Sequence, residues 1–286
     1  DEFRISEVVA TYDDVLASDV DAIYNPLPIN LHHEWTLKSI AAGKHVLCEK
    51  ALALTERQAK NMVDVARQED RLLMEAMWTW FLPAVRRAKE WVDAGRIGNI
   101  VRIHSDFGYP LEYHPDTREY DARLAGGCLL EMGVYPVALT TLFAERDPDS
   151  MTVVSRHAPN GVEDDVVATF DYPDFVATLG TSFRAKLRNW AYVGGDAGYV
   201  AIPNFWCASE CQLWVLDDMV DSFDDGRKTN GFNYQIDAVN ADLAAGRTES
   251  TIMPLSASLS FQSQMDRIRS KFQEVRSSTT LDVENR

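Results

Sequence analysis

The sequence has few cysteines and no apolar run of transmembrane length. Its 286 residues include only four cysteines, Cys48, Cys128, Cys207 and Cys211. Their irregular spacing matches neither a disulfide framework nor a zinc site with paired CxxC motifs. No apolar run approaches ~18 residues, and no basic segment followed by an apolar stretch opens the chain. We therefore expect a cytoplasmic protein with no metal, no membrane span and no secretory signal.

Basic residues are also scarce. The chain has 28 Lys and Arg residues against 44 Asp and Glu residues, which gives a formal net charge of −16. Such a surface repels nucleic acid and anionic membranes, so neither is expected as a partner. Hydrophobic residues make up 46% of the chain, which excludes global disorder. A chain of this length is expected to form one large domain or two ordinary ones.

Strand and helix patterns alternate in the first 80 residues. Short apolar segments at 22–24, 45–48 and 72–74 predict three strands. Gly43 is a natural end for the helix between the first two strands, and Thr55 to Gln58 form a capping box for the next helix. The apolar runs are continuous rather than alternating, which favours a parallel sheet covered on both faces. This part of the chain therefore predicts an α/β unit.

The pattern changes after residue 80. Pro83 suits the first position of a helix, and apolar residues at helical spacing continue from it to Gly95. Alternating or apolar segments then predict a series of strands at 101–107, 166–170, 175–183, 192–193, 199–202 and 213–216. Tight turns separate several of them, which is typical of a mostly antiparallel sheet. We therefore predict a second, α+β domain over residues 81–286.

Polar and charged residues follow all three predicted parallel strands. Ligands of open parallel sheets bind at the carboxyl ends of the strands. Here those ends carry residues 25–28 with His32 one helical turn further on, the pair Glu49–Lys50, and residues 75–78. A charged pair also marks the place where any strand reaches water. A substrate site and a plain strand end both remain open for Glu49 and Lys50.

A second candidate lies at residues 126–135, where two glycines predict a tight turn into a helix. Glu131 and Tyr135 are four residues apart and are expected to share one helical face. A lysine ammonium ~4 Å from a phenol, at an effective dielectric of ~20, favours the phenolate by roughly 4 kcal/mol, or about 3 pK units. A Lys50–Tyr135 pair would then take a proton from a substrate hydroxyl. An amphipathic helix with Tyr135 in the core explains the same residues.

These motifs resemble the glucose–fructose oxidoreductase / inositol dehydrogenase / MocA family. Residues 24–32 and 42–50 are similar to the second half of that family's Rossmann domain, and Glu49–Lys50 resembles its Glu-Lys-Pro motif. Residues 74–78, 126–135, 161–165 and 202–206 resemble the subgroup of dimeric dihydrodiol dehydrogenases and NADP-dependent D-xylose dehydrogenases. The resemblance implies an α/β fold with a partial Rossmann domain over residues 1–80. An α+β substrate-binding and oligomerisation domain with a large, mostly antiparallel sheet is implied for residues 81–286.

The resemblance also implies NADP or NAD as the cofactor and assigns roles to residues. Lys50 would contact both cofactor and substrate, Tyr135 would be the acid/base, and Glu131 would lie near the substrate. The residues implied for the dinucleotide site are Pro26, Leu27, His32, Glu49, Lys50 and Trp78. Those implied for the substrate pocket are the aromatic residues Trp78, Phe107 and Trp206.

Some positions depart from the family pattern. Ala51 replaces the proline of the motif, Trp80 stands where the subgroup usually has arginine, and Glu131 replaces aspartate. No G-x-G-x-x-G motif is present, and the family's length implies that roughly fifty residues with the first strand and the phosphate-binding turn precede Asp1. The segment that selects NAD or NADP would lie there.

The expected activity is hydride transfer from a carbinol of a sugar or cyclic diol to NADP or NAD. The most specific expectation is an aldose oxidised at C1, such as D-xylose. A homodimer or homotetramer is expected because such assemblies are common in the family. The alternative is a dehydrogenase-derived sugar-binding or regulatory protein without catalysis, which the departures at Ala51, Trp80 and Glu131 favour.

Overall fold

The computed structural model describes residues 5 and 7–283. Its first layer is a parallel sheet with the order β1-β2-β3, flanked by helices. The three strands lie within two residues of the predicted positions. The elements of this layer are α1 (Tyr12–Ala17), β1 (Ala22–Asn25), α2 (Ile29–Ala41), β2 (His45–Glu49), α3 (Glu56–Gln68) and β3 (Leu73–Ala76).

Local signals in the sequence set the limits of these helices. Gly43, two residues after the end of α2, has a φ of +78°, which glycine adopts without steric cost. The hydroxyl of Thr55 accepts from the Gln58 backbone N–H at 3.3 Å and caps α3. The Gln58 side chain accepts in turn from the Leu54 backbone N–H at 3.2 Å, one residue before the position expected for a capping box.

The second layer is an eight-stranded sheet with the order β11-β10-β9-β8-β4-β7-β6-β5. Only β4 and β7 pair in parallel, and the other pairings are antiparallel. The predicted fold class is confirmed. The strands are β4 (Ile100–Gly108), β5 (Ser150–His157), β6 (Glu163–Asp171), β7 (Val176–Ser182), β8 (Ala191–Gly195), β9 (Tyr199–Ile202), β10 (Glu210–Val215) and β11 (Asp218–Asp224).

Four further α-helices follow in the described part of the chain, and three of them, α4, α5 and α7, contact strands of this sheet. As predicted, α4 begins at Pro83 and stops just before Gly95. A π-helical turn at Leu129–Gly133 leads into α5, in which every residue from Val134 to Phe143 is buried. The helices are α4 (Pro83–Asp93), α5 (Val134–Ala144), α6 (Asn233–Ala244) and α7 (Leu255–Val283).

The stretch from residue 122 to 144 is long and apolar enough to cross a membrane. The expectation concerned uninterrupted apolar runs, and this stretch is interrupted by the charged residues Arg123 and Glu131. However, 89% of its apolar window is buried inside the protein. Its apolar character is therefore explained by the core that it fills.

Helix α7 contacts both layers. Leu255 belongs to the core cluster that Val46 and Leu73 form around the parallel sheet. Further along the helix, Phe261 packs edge-on against Trp80 at 5.4 Å in the larger core. The backbone N–H of Glu56 donates to Asp266 at 2.7 Å and ties α3 to the same helix. The last described helix thus completes the core of the first layer.

We predict that Phe261→Ala destabilises the fold by about 3–5 kcal/mol, because it leaves a cavity where a fully buried ring packs. The measurement is the free energy of unfolding in urea. Val154→Ala is the control, since Val154 is 54% exposed and its truncation should change stability by less than about 0.5 kcal/mol. Equal effects of the two substitutions would contradict the assigned packing of α7.

Candidate active site

A cavity of about 250 Å³ lies where β1 and β2 end and the second layer approaches them. It brings together several residues predicted for the dinucleotide site. Its walls are apolar on the β1 side and charged on the other. The residues that line it are Pro26, Leu27, Pro28, Ile29, Glu49, Lys50, Arg118 and Glu131.

Lys50 connects this cavity to the helix after residue 126. Its Nζ donates to the backbone carbonyl of Glu131 at 2.8 Å and lies 5.1 Å from the ring centroid of Tyr135. Burial acts to lower the pKa of Lys50. The acidic groups around it, Tyr135 first and Glu131 next, raise the pKa above its ordinary value. The side chain is therefore an ammonium at neutral pH.

Glu131 lies in the π-helical turn and forms a two-point ion pair with Arg118. The guanidinium Nη1 and Nη2 donate to the two carboxylate oxygens at 3.1 and 2.9 Å. Burial alone would raise the pKa of Glu131, but Lys50 and Arg118 together lower it below its ordinary value. The site therefore holds a carboxylate with two cationic neighbours. Turns of this π-helical type occur often at functional sites.

Tyr135 lies at the centre of an aromatic cluster. Its hydroxyl accepts a hydrogen bond from the Trp78 indole N–H at 3.0 Å. Phe107 packs edge-on against its ring at 5.2 Å, and Trp206 stacks on Phe107 at 5.0 Å. The three residues predicted for the substrate pocket therefore lie together beside Tyr135.

The pKa of Tyr135 differs from the expectation. Burial raises it above the ordinary value of ~10, and Lys50 and the Trp78 N–H offset that rise only in part. The expectation that Lys50 brings the phenol close to neutrality was wrong, because the tyrosine is only 6% exposed and the ammonium lies near its ring. Tyr135 is thus a neutral phenol at pH 7.

A second cavity of about 520 Å³ lies on the other side of Trp78. Trp206 and Phe232 pack against Trp78 at 5.8 and 4.4 Å and form its aromatic wall. Arg227 and Lys228 add positive charge, and Arg227 is fixed by Asp225 and by the carbonyl of Ala208. Tyr135 lines neither cavity, but it contacts Lys50 of the first and Trp78 of the second, so it lies between residues of the two.

His32 is placed differently from the other residues predicted for the dinucleotide site. It is fully buried, with Nδ1 2.9 Å from the carbonyl oxygen of Ala51 and Nε2 2.6 Å from that of Leu27. Burial lowers its pKa, and the two carbonyls offset this in part. Its ring nitrogens are occupied by the backbone, so the structure gives His32 a supporting position behind the cavity wall.

Two departures from the family pattern lie in different surroundings. Trp80 is 5% exposed, and its indole N–H donates to the Ala138 carbonyl at 3.1 Å. It is therefore a core residue between α5 and α7, away from Lys50. Ala51 follows Lys50 directly through a cis peptide bond and is fully buried behind the first cavity.

Several residues of the site were missed from the sequence. Arg118 lies in an irregular loop, and no periodic pattern marks it. Tyr24, on β1, donates its hydroxyl to Glu49 at 2.5 Å. Tyr24 could have been identified from the sequence, because it directly precedes residues 25–28 at the end of the first predicted strand. Phe232 and Arg227 follow β11 at a long distance in sequence from Trp78, so only the fold reveals their proximity.

The first cavity fits part of a nicotinamide dinucleotide. Pro26, Leu27 and Ile29 offer apolar surface for a planar ring, while Glu49 and Lys50 offer an acceptor and a donor for ribose hydroxyls. Helix α2 also begins here with no side-chain cap on its first N–H groups. These are the features expected at the carboxyl end of a nucleotide-binding sheet.

Comparison with known protein families agrees with this geometry. Residues 1–77 match the model described as "Oxidoreductase family, NAD-binding Rossmann fold", and residues 85–201 match "GFO/IDH/MocA C-terminal domain". The chain is 32% identical over 269 residues to trans-1,2-dihydrobenzene-1,2-diol dehydrogenase of Mus musculus, which covers 90% of this chain and 79% of that protein. It is 33% identical to the Homo sapiens enzyme of the same name over 79% of this chain and 70% of the relative.

Solved structures show the same architecture. KijD10, a 3-ketoreductase from Actinomadura kijaniata crystallised with NADP and TDP-benzene, matches with a TM-score of 0.80 and 29% identity over 92% of this chain and 82% of that one. Aldose-aldose oxidoreductase from Caulobacter crescentus matches with a TM-score of 0.83 over 92% of this chain and 80% of that one. At 22% identity, this second likeness bears on the fold alone.

The fold and the site thus define a Rossmann-type oxidoreductase that uses NADP or NAD. The chain belongs to the GFO/IDH/MocA family, within which its relatives are sugar and dihydrodiol oxidoreductases.

We predict that the Arg118–Glu131 pair stabilises the fold in a pH-dependent way. The folded pKa of Glu131 is lowered, while its unfolded value is ~4.3. Ionised Glu131 therefore stabilises the fold above about pH 4.3, and this stabilisation is lost as the pH falls through the folded pKa. The melting temperature of Arg118→Met should lie below that of the wild type at neutral pH, and the difference should shrink in acid.

Lys60→Met is the matched control for this experiment. Lys60 pairs with Asp64 at 3.2 Å, but both side chains are more than half exposed. Such a pair contributes little to stability. The control should therefore melt close to the wild type at every pH. A difference for Arg118→Met that is constant between neutral and acidic pH would contradict the assigned role of the ion pair.

Proposed function

We propose that the chain interconverts a ring carbinol and the corresponding carbonyl of a sugar or cyclic diol. The observation that carries this proposal is the position of Tyr135 between the two cavities, in contact with Lys50 on one side and Trp78 on the other. A proton donor between a nucleotide-type cavity and an aromatic cavity is the arrangement that hydride transfer to or from a carbinol requires.

In the reducing direction, the substrate carbonyl oxygen lies at the Tyr135 hydroxyl. The O–H bond of the phenol breaks as the new C–H bond forms, and the proton passes to the oxygen of the product carbinol. When bound at the first cavity, NADP or NAD would supply or accept the hydride. Lys50 stabilises the phenolate that remains, because its ammonium lies 5.1 Å from the ring centroid. Oxidation is the reverse, with the phenolate taking the proton of the carbinol hydroxyl.

We propose an aldose oxidised at C1, such as D-xylose, as the most specific substrate. The aromatic rings of Trp78, Phe107 and Trp206 suit the apolar face of a sugar ring or a cyclic diol. Relatives are named for a dihydrobenzene diol and for a dTDP-linked didehydro-dideoxyglucose. A panel of D-xylose, other aldopentoses and a trans-dihydrodiol, assayed by NADPH absorbance, tests the choice. If only the trans-dihydrodiol is turned over, the diol replaces the aldose as the proposed substrate.

We predict that Tyr135→Phe lowers kcat for carbinol oxidation by about 10²–10⁴-fold, the usual size of a general acid–base contribution. Because the pKa of Tyr135 is raised, wild-type oxidation should accelerate with rising pH above neutrality as the phenolate population grows. The variant should lose that pH dependence, which is measured as kcat against pH.

Tyr12→Phe is the matched control, since Tyr12 is 53% exposed on α1. It should leave the rate and the pH profile unchanged. Near-normal turnover by Tyr135→Phe would exclude Tyr135 as the acid/base. If the wild type also fails to quench or shift NADPH fluorescence on titration, the non-catalytic sugar-binding alternative replaces the dehydrogenase.

We further propose that a second copy of this chain covers the outer face of the eight-stranded sheet. Support comes from a row of half-buried aromatic rings across β8, β9 and β10, with neighbouring centroids 5.9–6.0 Å apart. The row consists of Trp190, Tyr192, Tyr199 and Trp214. Such contiguous apolar surface is typical of an interaction face.

Tyr199→Glu should convert a wild-type homo-oligomer to a monomer, because it places a charge in the middle of this row. The measurement is sedimentation equilibrium of both proteins. Tyr12→Glu, on α1, is the control and should keep the wild-type mass. A monomeric wild type, or an oligomer that Tyr199→Glu leaves intact, would contradict this proposal.

A further inference from the structure

The peptide unit that joins Ala51 to Leu52 is held at both ends by buried ionisable side chains. The Leu52 N–H donates to Glu75 Oε1 at 2.9 Å, and the Ala51 carbonyl oxygen lies 2.9 Å from His32 Nδ1. Glu75 is 1% exposed, and His32 is fully buried. One side chain comes from β3 and the other from α2, so two separate elements fix the plane of a single peptide.

This peptide directly follows Lys50. The Lys50 side chain leaves the turn after β2 and crosses to the second layer, where its Nζ meets the Glu131 carbonyl at 2.8 Å. Rotation of the 51–52 peptide changes the backbone direction next to Lys50 and therefore the direction of its side chain. A shift of about 1 Å at a reacting group can cost ~10²-fold in rate. The geometry of the turn therefore bears directly on the position of the ammonium.

A carboxyl group at position 75 is energetically unfavourable, because it is removed from water. Burial raises its pKa to about 7, and the Ser258 hydroxyl and the Leu52 backbone N–H offset the rise only in part. The charged and titratable groups that face it are Glu49, Lys50 and Cys48 from β2 and its turn, with the Ser258 hydroxyl from α7. An apolar residue would fill the same space without the desolvation cost. Only an acceptor, however, satisfies the buried Leu52 N–H.

We propose that Glu75 is a positioning residue for Lys50, which acts by fixing the 51–52 peptide so that the ammonium reaches Tyr135. The role of Lys50 in this inference rests on the proposed function. Glu75 itself lines neither cavity, and it acts through the backbone of the turn. His32 lies at the opposite end of the same peptide, and its other ring nitrogen is 2.6 Å from the Leu27 carbonyl oxygen.

Two substitutions separate positioning from simple stability. Glu75→Gln keeps an oxygen acceptor for the Leu52 N–H, while Glu75→Leu fills a similar volume without one. We expect Glu75→Gln to keep kcat within about threefold of the wild type, and Glu75→Leu to lose ~10-fold or more in kcat with little change in KM. Asp242→Asn is the matched control, because Asp242 is a buried carboxylate of α6 whose partner is Arg247.

Hydrogen exchange provides a readout that does not depend on turnover. In the ligand-free full-length protein, the amide of Leu52 should exchange faster in Glu75→Leu than in the wild type or in Glu75→Gln. In the wild type its protection should also weaken below about pH 7, after correction for intrinsic exchange, since a protonated carboxyl is a weaker acceptor. Glu75→Gln should lack that change. This pH series uses only the wild type and Glu75→Gln, so it can be measured even if Glu75→Leu does not fold.

The results decide between clear alternatives. Unchanged kcat in a folded Glu75→Leu, or Leu52 protection that is independent of pH in the wild type, would overturn the positioning role. Equal losses of kcat in Glu75→Leu and Asp242→Asn would reduce Glu75 to a stability residue. If the wild type turns over no carbinol at all, the proposed function fails, while the exchange data still test the hold on the 51–52 peptide.

Discussion

A buried ammonium between two layers is the interaction on which this site depends. Lys50 leaves the parallel sheet, donates to a carbonyl of the π-helical turn and lies against the Tyr135 ring. Removing a cation from water is costly unless carboxylates and carbonyls surround it. Glu49 and Glu131 meet that need, and Arg118 in turn balances Glu131. The charges of the first cavity are thus one network centred on a single side chain.

The sequence was most informative where local rules apply. Gly43, Thr55 and Pro83 correctly marked helix limits, because caps and turns depend on nearest neighbours. The proximity of Lys50 to Tyr135 followed from the family resemblance together with the rule for strand ends. Their catalytic and binding roles, like those of Pro26, Leu27, Glu49, Trp78, Phe107 and Trp206, stay predictions.

Other properties depend on distant packing and were beyond the sequence. The pKa of Tyr135 was expected to fall, because a nearby cation was considered without the burial that dominates it. The resemblance implied His32 for the dinucleotide site, and that role stays a prediction; the structure places its ring nitrogens beside the carbonyls of Ala51 and Leu27. Arg118 carried no periodic signal, although it completes the charge balance of the cavity. Contacts between separate elements, such as those of Lys50 with Tyr135 and of Arg118 with Glu131, therefore decide these properties.

The course of α7 limits how such proteins exchange parts during evolution. Its first residue, Leu255, completes the hydrophobic cluster around the parallel sheet. The nucleotide-type layer is therefore not a self-contained module, even though its strands and remaining helices come from the first 80 residues. Recombination that grafts this layer onto another catalytic partner would have to carry the matching helix, which follows the second layer in the chain.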